Sequence, residues 1–279
     1  MIHVNCPLCG ASDATYLWSK EGADYVRCKQ CALVYENPRL SEEELRLYYS
    51  QEGYYIQADA AVPTSGYENY FQQCTPQLQR EYFDIVERHC RTRRGRYLDV
   101  GCGAGGVVGV AAERGWEAMG QEISSWAVAQ GRSRGVNIVE KELPAAGFLA
   151  DSFDAVSMFD VLEHLPSPNE YVQEIFRILK PGGVLVVETP NIEGFFARHL
   201  YKGMSDLVKP RSHICLYGPL SASKLFASVP FSNVAITTFP YSRKFSWIYF
   251  KALLVSRLLP DRNLVQFTFD ESLRIVCTK

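Results

Sequence analysis

The residues of this 279-residue chain that could do chemistry fall into two clusters. The first is Leu98-Asp99-Val100-Gly101-Cys102-Gly103-Ala104-Gly105-Gly106, set between a strand-like and a helix-like stretch. Glycines at such a junction let the backbone turn sharply and let a ligand approach closely. The helix beyond would present free N–H groups to negative charge. Glu122 stands 21 residues after Gly101, at the end of the next strand, where an acid can hold both hydroxyls of a ribose. The second cluster is Cys6, Cys9, Cys28 and Cys31, spaced C-x2-C-x18-C-x2-C. Two such turns bring four thiolates together and can close a tetrahedral zinc site. Gly10 suits a tight knuckle after Cys9. Four cysteines leave no open coordination position, so the zinc is expected to be structural, stapling a module too small to fold alone. A redox pair, an iron site and a metal-free ribbon are the alternatives.

The glycine spacing alone fits two ligands, because Gly101, Gly103 and Gly106 also satisfy G-x-G-x-x-G of dinucleotide folds. Two features favour S-adenosylmethionine (SAM). Asp99 sits inside the strand, two residues before the first glycine, and SAM carries an ammonium and a sulfonium that a carboxylate would attract. The chain also ends in two strand-like runs, Val234–Phe239 and Leu273–Cys277, with no clear crossover helix between them, which suits an antiparallel pair.

The intervening elements must position these residues. Ser41 reads as an N-cap with acids in the first helical turn. A tyrosine-rich stretch follows, including Tyr54, Tyr55, Tyr67 and Tyr70, and could form a lid. A helix is expected from Pro76 to Cys90. From Arg96 strands alternate with helices: strands at 97–100, 116–123, 136–139, 153–159 and 184–187, helices at 104–114, after Ser124, and after a Ser167-Pro168-Asn169-Glu170 capping box. Such alternation means an α/β fold around a mainly parallel sheet. The expected organisation is a zinc ribbon over 1–38, a helical, tyrosine-rich cap over 39–92, and an α/β domain over 93–279 with an insertion at about 240–270.

Composition narrows the partners. The chain is 47% hydrophobic with a formal net charge of -2 and a pI near 6.2, so nothing global advertises nucleic acid. The basic run Arg88, Arg91, Arg93, Arg94 and Arg96 reads as a solvated helix end. The first residues lack an export signal and no apolar run is long enough to span a bilayer, so a cytoplasmic location is expected. The apolar, lightly basic segment 245–259 could touch a membrane surface or a lipid-linked acceptor. It could equally pack on the domain or form a dimer contact.

Three segments together resemble a known family. Residues 97–105 look like motif I of class I SAM-dependent methyltransferases. Phe153–Leu165, with Phe159-Asp160-Val161-Leu162-Glu163-His164, resembles their fourth-strand motif, and Leu179–Leu185 the motif before strand five. The order and spacing look closest to the ubiquinone-biosynthesis type. The cysteine knuckles and the following Ala32–Arg39 resemble the start of bacterial sugar and surface-polysaccharide methyltransferases. The resemblance implies a Rossmann-like sheet of seven strands, mostly parallel, with the last strand antiparallel.

It also implies roles. Gly101, Cys102, Gly103 and Gly105 would lie against the methionine end of SAM, with Asp99 near its amino group. Glu122 would bind the ribose and Ile123 pack on adenine. Glu142 and Leu143 are candidates for the adenine amino group, and Phe159 and Asp160 would shape the cofactor pocket. His164, at the sheet's carboxyl edge, is a candidate base, with His213 and Tyr217 lining the acceptor side. The expected reaction is methyl transfer to a small molecule, such as a nucleotide- or lipid-linked sugar. The rivals are an RNA or protein methyltransferase gripping a polymer through the ribbon and Arg88–Arg96, a dinucleotide-dependent oxidoreductase, and a non-catalytic scaffold.

Overall fold

The computed structural model describes residues 1–50, 75–194, 208–239 and 272–279. The stretch from Tyr54 to Tyr70 and the 245–259 segment lie outside the described residues. The chain opens with β1 (Ala14–Lys20), β2 (Ala23–Cys28) and β3 (Val34–Glu36), then α1 (Glu42–Ser50) and α2 (Pro76–His89). The alternating region follows: β4 (Arg96–Val100), α3 (Gly106–Glu113), β5 (Glu117–Glu122), α4 (Ser125–Ser133), β6 (Ile138–Glu140), β7 (Phe153–Phe159), α5 (Pro168–Ile178) and β8 (Leu179–Pro190). The last described elements are β9 (Cys215–Leu216), α6 (Pro219–Ala227), β10 (Asn233–Phe239) and β11 (Ser272–Thr278).

Seven strands form one sheet in the order β10-β11-β8-β7-β4-β5-β6. The pairs β4 with β5, β4 with β7, β5 with β6 and β7 with β8 are parallel. β11 is antiparallel to both its neighbours. The expected Rossmann-like α/β sheet with its last strand reversed is therefore what the chain builds. β4 has β5 on one side and β7 on the other, so chain order reverses there. Open α/β sheets bind ligands beyond the carboxyl ends of the strands at such a switch point.

Both sheet faces are covered. Val184 and Val186 of β8 pack with Phe83, Tyr97 and Trp116 on one face. Leu185 and Val187 pack with Leu98, Met158 and Ile175 on the other. Period-two alternation sends successive side chains to opposite faces, which is why a central parallel strand reads as an unbroken apolar run.

The helix starts test the capping expectations. Ser41 does more than cap: its hydroxyl accepts from the Glu44 N–H at 3.2 Å and its own N–H donates to Glu44 Oε2 at 2.8 Å, a reciprocal box. Ser124 accepts from the Ala127 N–H at 3.4 Å. Ser167 does not cap α5. Its ψ of 66° turns the hydroxyl off the helix axis, and the hydroxyl instead donates to Glu42 Oε1 at 3.4 Å. The helix expected from Ala104 begins at Gly106, because Gly105 is left-handed and serves as its N-cap.

The N-terminal sheet is not self-contained. Its order is β1-β2-β3-β9, and β3 pairs Val34 with Leu216 and Tyr35 with Cys215. A strand from residues 215–216 completes the sheet begun by the first 38 residues.

Gly105 holds φ at 75°, and a Cβ there would fall 2.5 Å from Val136 Cγ1. Gly105→Ala adds left-handed strain to a steric overlap, so it should cost about 1–3 kcal/mol in urea unfolding. A loss below about 0.5 kcal/mol, the scale of neutral surface changes, would mean that the loop relaxes freely.

Candidate active site

A cavity of about 1450 Å³ opens beyond the carboxyl ends of β4, β5 and β7. Single small-ligand pockets run to about 300–1,000 Å³, so this one has room for a cofactor and an acceptor together. Asp99, Gly101, Cys102, Gly103, Gly105, Glu122, Ile123, Glu142, Phe159, Asp160 and His164 all stand on its wall. Leu143 does not. It is fully buried in the main core, because the short 3-10 turn Leu143–Ala145 points it inward. Glu142 is on the wall but engaged by Arg46, 2.5 Å away.

Glu122 fastens the glycine loop to the end of β5. One carboxylate oxygen accepts from the Gly103 N–H at 3.0 Å, the other from the Ile123 and Ser124 N–H groups at 2.7 and 2.9 Å. Burial pushes its pKa up while these three donors pull it down. A carboxylate offers about four lone-pair sites, so Glu122 has room for one further donor rather than two. Beside it, Asp99 accepts from the Ser157 hydroxyl at 2.5 Å, and that hydroxyl meets Tyr97 OH at 2.5 Å. Burial lifts Asp99 to about 7, with the Glu122 charge adding to the rise and these hydrogen bonds opposing it. Gly106 and Val107, at the uncapped start of α3, share the wall.

On the β7 side, Phe159 stacks on Tyr82 of α2, with ring centroids 4.3 Å apart. Tyr82 OH donates to Asp160 Oδ2 at 3.4 Å. His164 Nδ1 lies 2.8 Å from the Ser212 carbonyl. That oxygen can only accept, so Nδ1 carries the proton and Nε2 keeps its lone pair. Tyr49 OH of α1 donates to the same carbonyl at 3.1 Å. Burial pushes the His164 pKa down to about 4, and the nearby Lys209 charge lowers it further. Glu163 accepts from Thr189 Oγ1 at 2.8 Å, and burial with the neighbouring Asp160 charge raises it to about 8.

His213 and Tyr217, expected on the acceptor side, are not on the cavity wall. His213 is buried behind His164, ring edge to ring face with centroids 4.9 Å apart. Tyr217 is wholly buried. Both belong to the segment that threads into β9, so they are packed beneath the wall. Sequence reasoning missed Tyr49, Gln79, Tyr82, Lys20, Lys209 and Ser212, all of which the fold brings to the cavity. They share no local sequence signal, since they come from α1, α2, β1 and the segment before β9.

The four cysteine sulfurs lie within 4.8 Å of one another, with Cys6 to Cys31 at 3.4 Å and Cys9 to Cys28 at 3.5 Å. These are too long for disulfides. Sulfurs about 2.3 Å from a central zinc sit roughly 3.8 Å apart at the corners of a tetrahedron, so the cluster fits that ion. Each knuckle closes the same way: the Gly10 N–H donates to Cys6 O and the Ala32 N–H to Cys28 O, and both donors have positive φ. The first knuckle is tied to α5, where Asn169 Nδ2 donates to Leu8 O at 2.9 Å and Pro7 O at 3.2 Å.

The sheet order, the reversed last strand and a glycine loop at the switch point define a Rossmann-like methyltransferase fold. Solved structures share it. A SAM-dependent methyltransferase from Archaeoglobus fulgidus superposes with a TM-score of 0.59 at 17% identity, covering 76% of this chain and 99% of that one. A Haemonchus contortus phosphoethanolamine N-methyltransferase 2 in complex with SAM gives 0.57 at 16% identity, covering 88% and 61%. The family model described as "Methyltransferase domain" matches residues 75–236, and the chain belongs to that family. Among curated relatives, a ubiquinone biosynthesis O-methyltransferase of Pseudomonas fluorescens is 34% identical over 103 residues, 34% of this chain and 44% of that protein. A probable SAM-dependent methyltransferase of Mycolicibacterium smegmatis is 31% identical over 144 residues, 49% of this chain and 51% of its own length. The chain thus spans about half the length of the curated relatives it matches. No helix among the described residues is long and apolar enough to cross a membrane.

His164 is held neutral, with a folded pKa near 4 against an ordinary 6.5. Between those values the unfolded chain binds the proton more tightly, so this contribution to stability is whole above pH 6.5 and fades toward pH 4. The melting temperature should fall less steeply from pH 7 to 4.5 in His164→Gln than in the parent. Equal slopes would contradict the shift.

Proposed function

We propose that the chain transfers the methyl group of SAM to an oxygen of a small-molecule acceptor, a nucleotide- or lipid-linked sugar. The observation that carries this reading is the pair of buried carboxylates, Asp99 and Glu122, flanking the glycine loop in a cavity large enough for two ligands. The cofactor, when bound, supplies an electrophilic methyl group that needs no further activation. The chain's residues have to place it and the acceptor. Gly101, Cys102, Gly103 and Gly105, in a loop turned by positive φ at its three glycines, present the methionine end with backbone, and Asp99 takes its ammonium. Glu122 holds one ribose hydroxyl, and Ile123 packs on the adenine. Phe159, stacked on Tyr82, and Asp160 close the pocket at the β7 side. His164 Nε2 takes the proton from the acceptor hydroxyl, and alignment supplies the rest. His213 acts from behind, holding the His164 ring.

The oxygen acceptor is the reading supported by relatives named as O-methyltransferases, and the sugar class by the resemblance of the N-terminal cysteine module. Family membership sets aside a dinucleotide oxidoreductase. A polymer grip through Arg88–Arg96 finds no support: Arg96 begins β4 at the edge opposite Gly101, and its guanidinium is paired with Glu117 at 3.0 Å. Within the cysteine module, Cys6, Cys9, Cys28 and Cys31 hold a structural zinc.

Calorimetry with SAM and S-adenosylhomocysteine is the direct test, and absence of binding to the zinc-loaded chain would sink the reading. The free Asp99 titrates near 7 and the cofactor ammonium favours its ionised form. Affinity should therefore rise as pH goes from 5.5 to 7.5, with proton release visible as a dependence on buffer ionisation heat. Asp99→Asn should lose both effects; a flat profile in the parent would remove Asp99 from this role.

Metal analysis should find one zinc per chain. Stripping it with a chelator should lower the melting temperature by several degrees, because the folded state alone holds the ion. A metal-replete preparation with no zinc and four freely titrating thiols would overturn the assignment.

A further inference from the structure

The hairpin of the cysteine module reaches the cavity. Lys20 ends β1 and pairs with Ala23 across a two-residue turn, Glu21-Gly22, in which both φ angles are positive, at 50° and 77°. That is the turn chemistry of a tight hairpin whose twist suits its strands. Lys20 and Glu21 at its tip stand on the cavity wall. Three links hold the hairpin against the segment after residue 208. Lys20 Nζ donates to Val208 O at 2.6 Å. Tyr25 OH donates to His213 O at 3.3 Å. Ala23, Tyr25 and Val34 share a core cluster with Val208 and Leu216.

The residue next to Val208 is Lys209, which is exposed, stands on the same wall, and is close enough to His164 to depress its pKa. Lys209 thus stands beside the proposed proton acceptor, and Lys20 reaches the carbonyl of the residue before it. Neither has a carboxylate within ion-pair distance among the described residues. Lys20 uses one of its three donors on the Val208 carbonyl, leaving two free. Asp160 and Glu163 both feel the Lys209 charge, but neither lies within ion-pair distance of it. Asp160 takes the Tyr82 hydroxyl on the α2 side, and Glu42 takes the Ser167 hydroxyl at the mouth. Glu21, next to Lys20 at the tip, is also on the wall, and no ion pair joins the two. A lysine that spends one donor on a backbone carbonyl, and a second lysine on the same wall with no close ion pair, leave N–H donors that an anion can use.

We propose that Lys20 and Lys209 form a clamp for a phosphate or diphosphate group of the acceptor, so that the cysteine module contributes directly to acceptor recognition. This rests on the methyltransferase reading for the word acceptor, but the clamp itself is a binding property that needs no turnover. A diphosphate held there would leave the rest of the acceptor facing His164 and the cofactor side.

The test is calorimetry on the full, zinc-loaded chain with S-adenosylhomocysteine bound, using inorganic pyrophosphate, uridine diphosphate and geranyl diphosphate as probes. Pyrophosphate should bind, more weakly as salt is raised. Lys20→Ala and Lys209→Ala should each weaken it about tenfold, and Lys20→Arg and Lys209→Arg should retain most of it. Arg93→Ala, a cationic change at an exposed position off the cavity wall, should leave it unaltered. S-adenosylhomocysteine affinity should stay within about twofold in all variants, which also reports that they are folded. Tighter binding of uridine diphosphate would assign a nucleotide-linked acceptor, and tighter binding of geranyl diphosphate a lipid-linked one. No pyrophosphate binding to the parent chain, or equal binding to both alanine variants, overturns the clamp. Failure of S-adenosylhomocysteine to bind would instead strike the methyltransferase reading, since the clamp is judged on pyrophosphate alone.

Discussion

A single carbonyl oxygen, that of Ser212, organises the acceptor side. It accepts the His164 Nδ1–H at 2.8 Å, the Tyr49 hydroxyl at 3.1 Å and the Ile214 N–H at 3.1 Å. Three distant stretches of chain meet there: α1, the turn after β7, and the segment leading into β9. The contact fixes the tautomer of His164 and therefore which nitrogen faces the cavity. It also fixes where Lys209 stands, because the Ser212 and His213 N–H groups both donate to the Lys209 carbonyl. Moving Ser212 would shift the candidate base and the candidate anion clamp together.

That dependence runs on into the cysteine module. Residues 215–216 are the outer strand of the N-terminal sheet, so the segment that presents Ser212 is anchored by hydrogen bonding to β3. The first knuckle is held by Asn169 near the start of α5. A small four-cysteine sheet that shares a strand with the rest of the chain is thereby built into the wall of the site. Its function in this arrangement is positional: it sets the angle at which the hairpin tip meets residue 208.

The β4–β5 side of the candidate site was legible in the sequence and the side built by α1, β1 and the segment before β9 largely was not, for a physical reason. Asp99, the glycines and Glu122 lie on consecutive elements whose geometry is local: a strand, a turn with positive φ, a helix start, and the next strand one crossover away. Their spacing follows from element lengths. The cysteine spacing is likewise local, although the left-handed Ala32 of the second knuckle carries no glycine to signal it. Tyr49, Ser212 and Lys20 meet through contacts spanning well over a hundred residues, and no periodicity encodes those. β9 is two residues long, too short to leave an alternating pattern. The Ser167 box failed for a related reason, since a distant glutamate outside its own helix took the hydroxyl that the local motif would have used.

The distribution of charge over the cavity follows from the same division. The β4 and β5 ends bury two carboxylates, held by backbone N–H groups and hydroxyls and crowded enough that Asp99 is lifted to about 7. Two carboxylates enclosed this way strain each other unless a cation joins them, which suits the ammonium and sulfonium of the proposed donor. Across the cavity Lys20 and Lys209 share the wall with Glu21, Glu42 and Asp160, and His164 is kept neutral. A neutral imidazole there adds no positive charge to repel the sulfonium, and its lone pair is available throughout the physiological range. The low pKa of His164 comes from its burial, with the Lys209 charge adding to it, and it keeps the ring neutral beside the proposed cofactor site. On this view proton transfer follows the fall in acceptor pKa as the methyl bond forms, and the histidine needs only to be aligned and unprotonated when that happens.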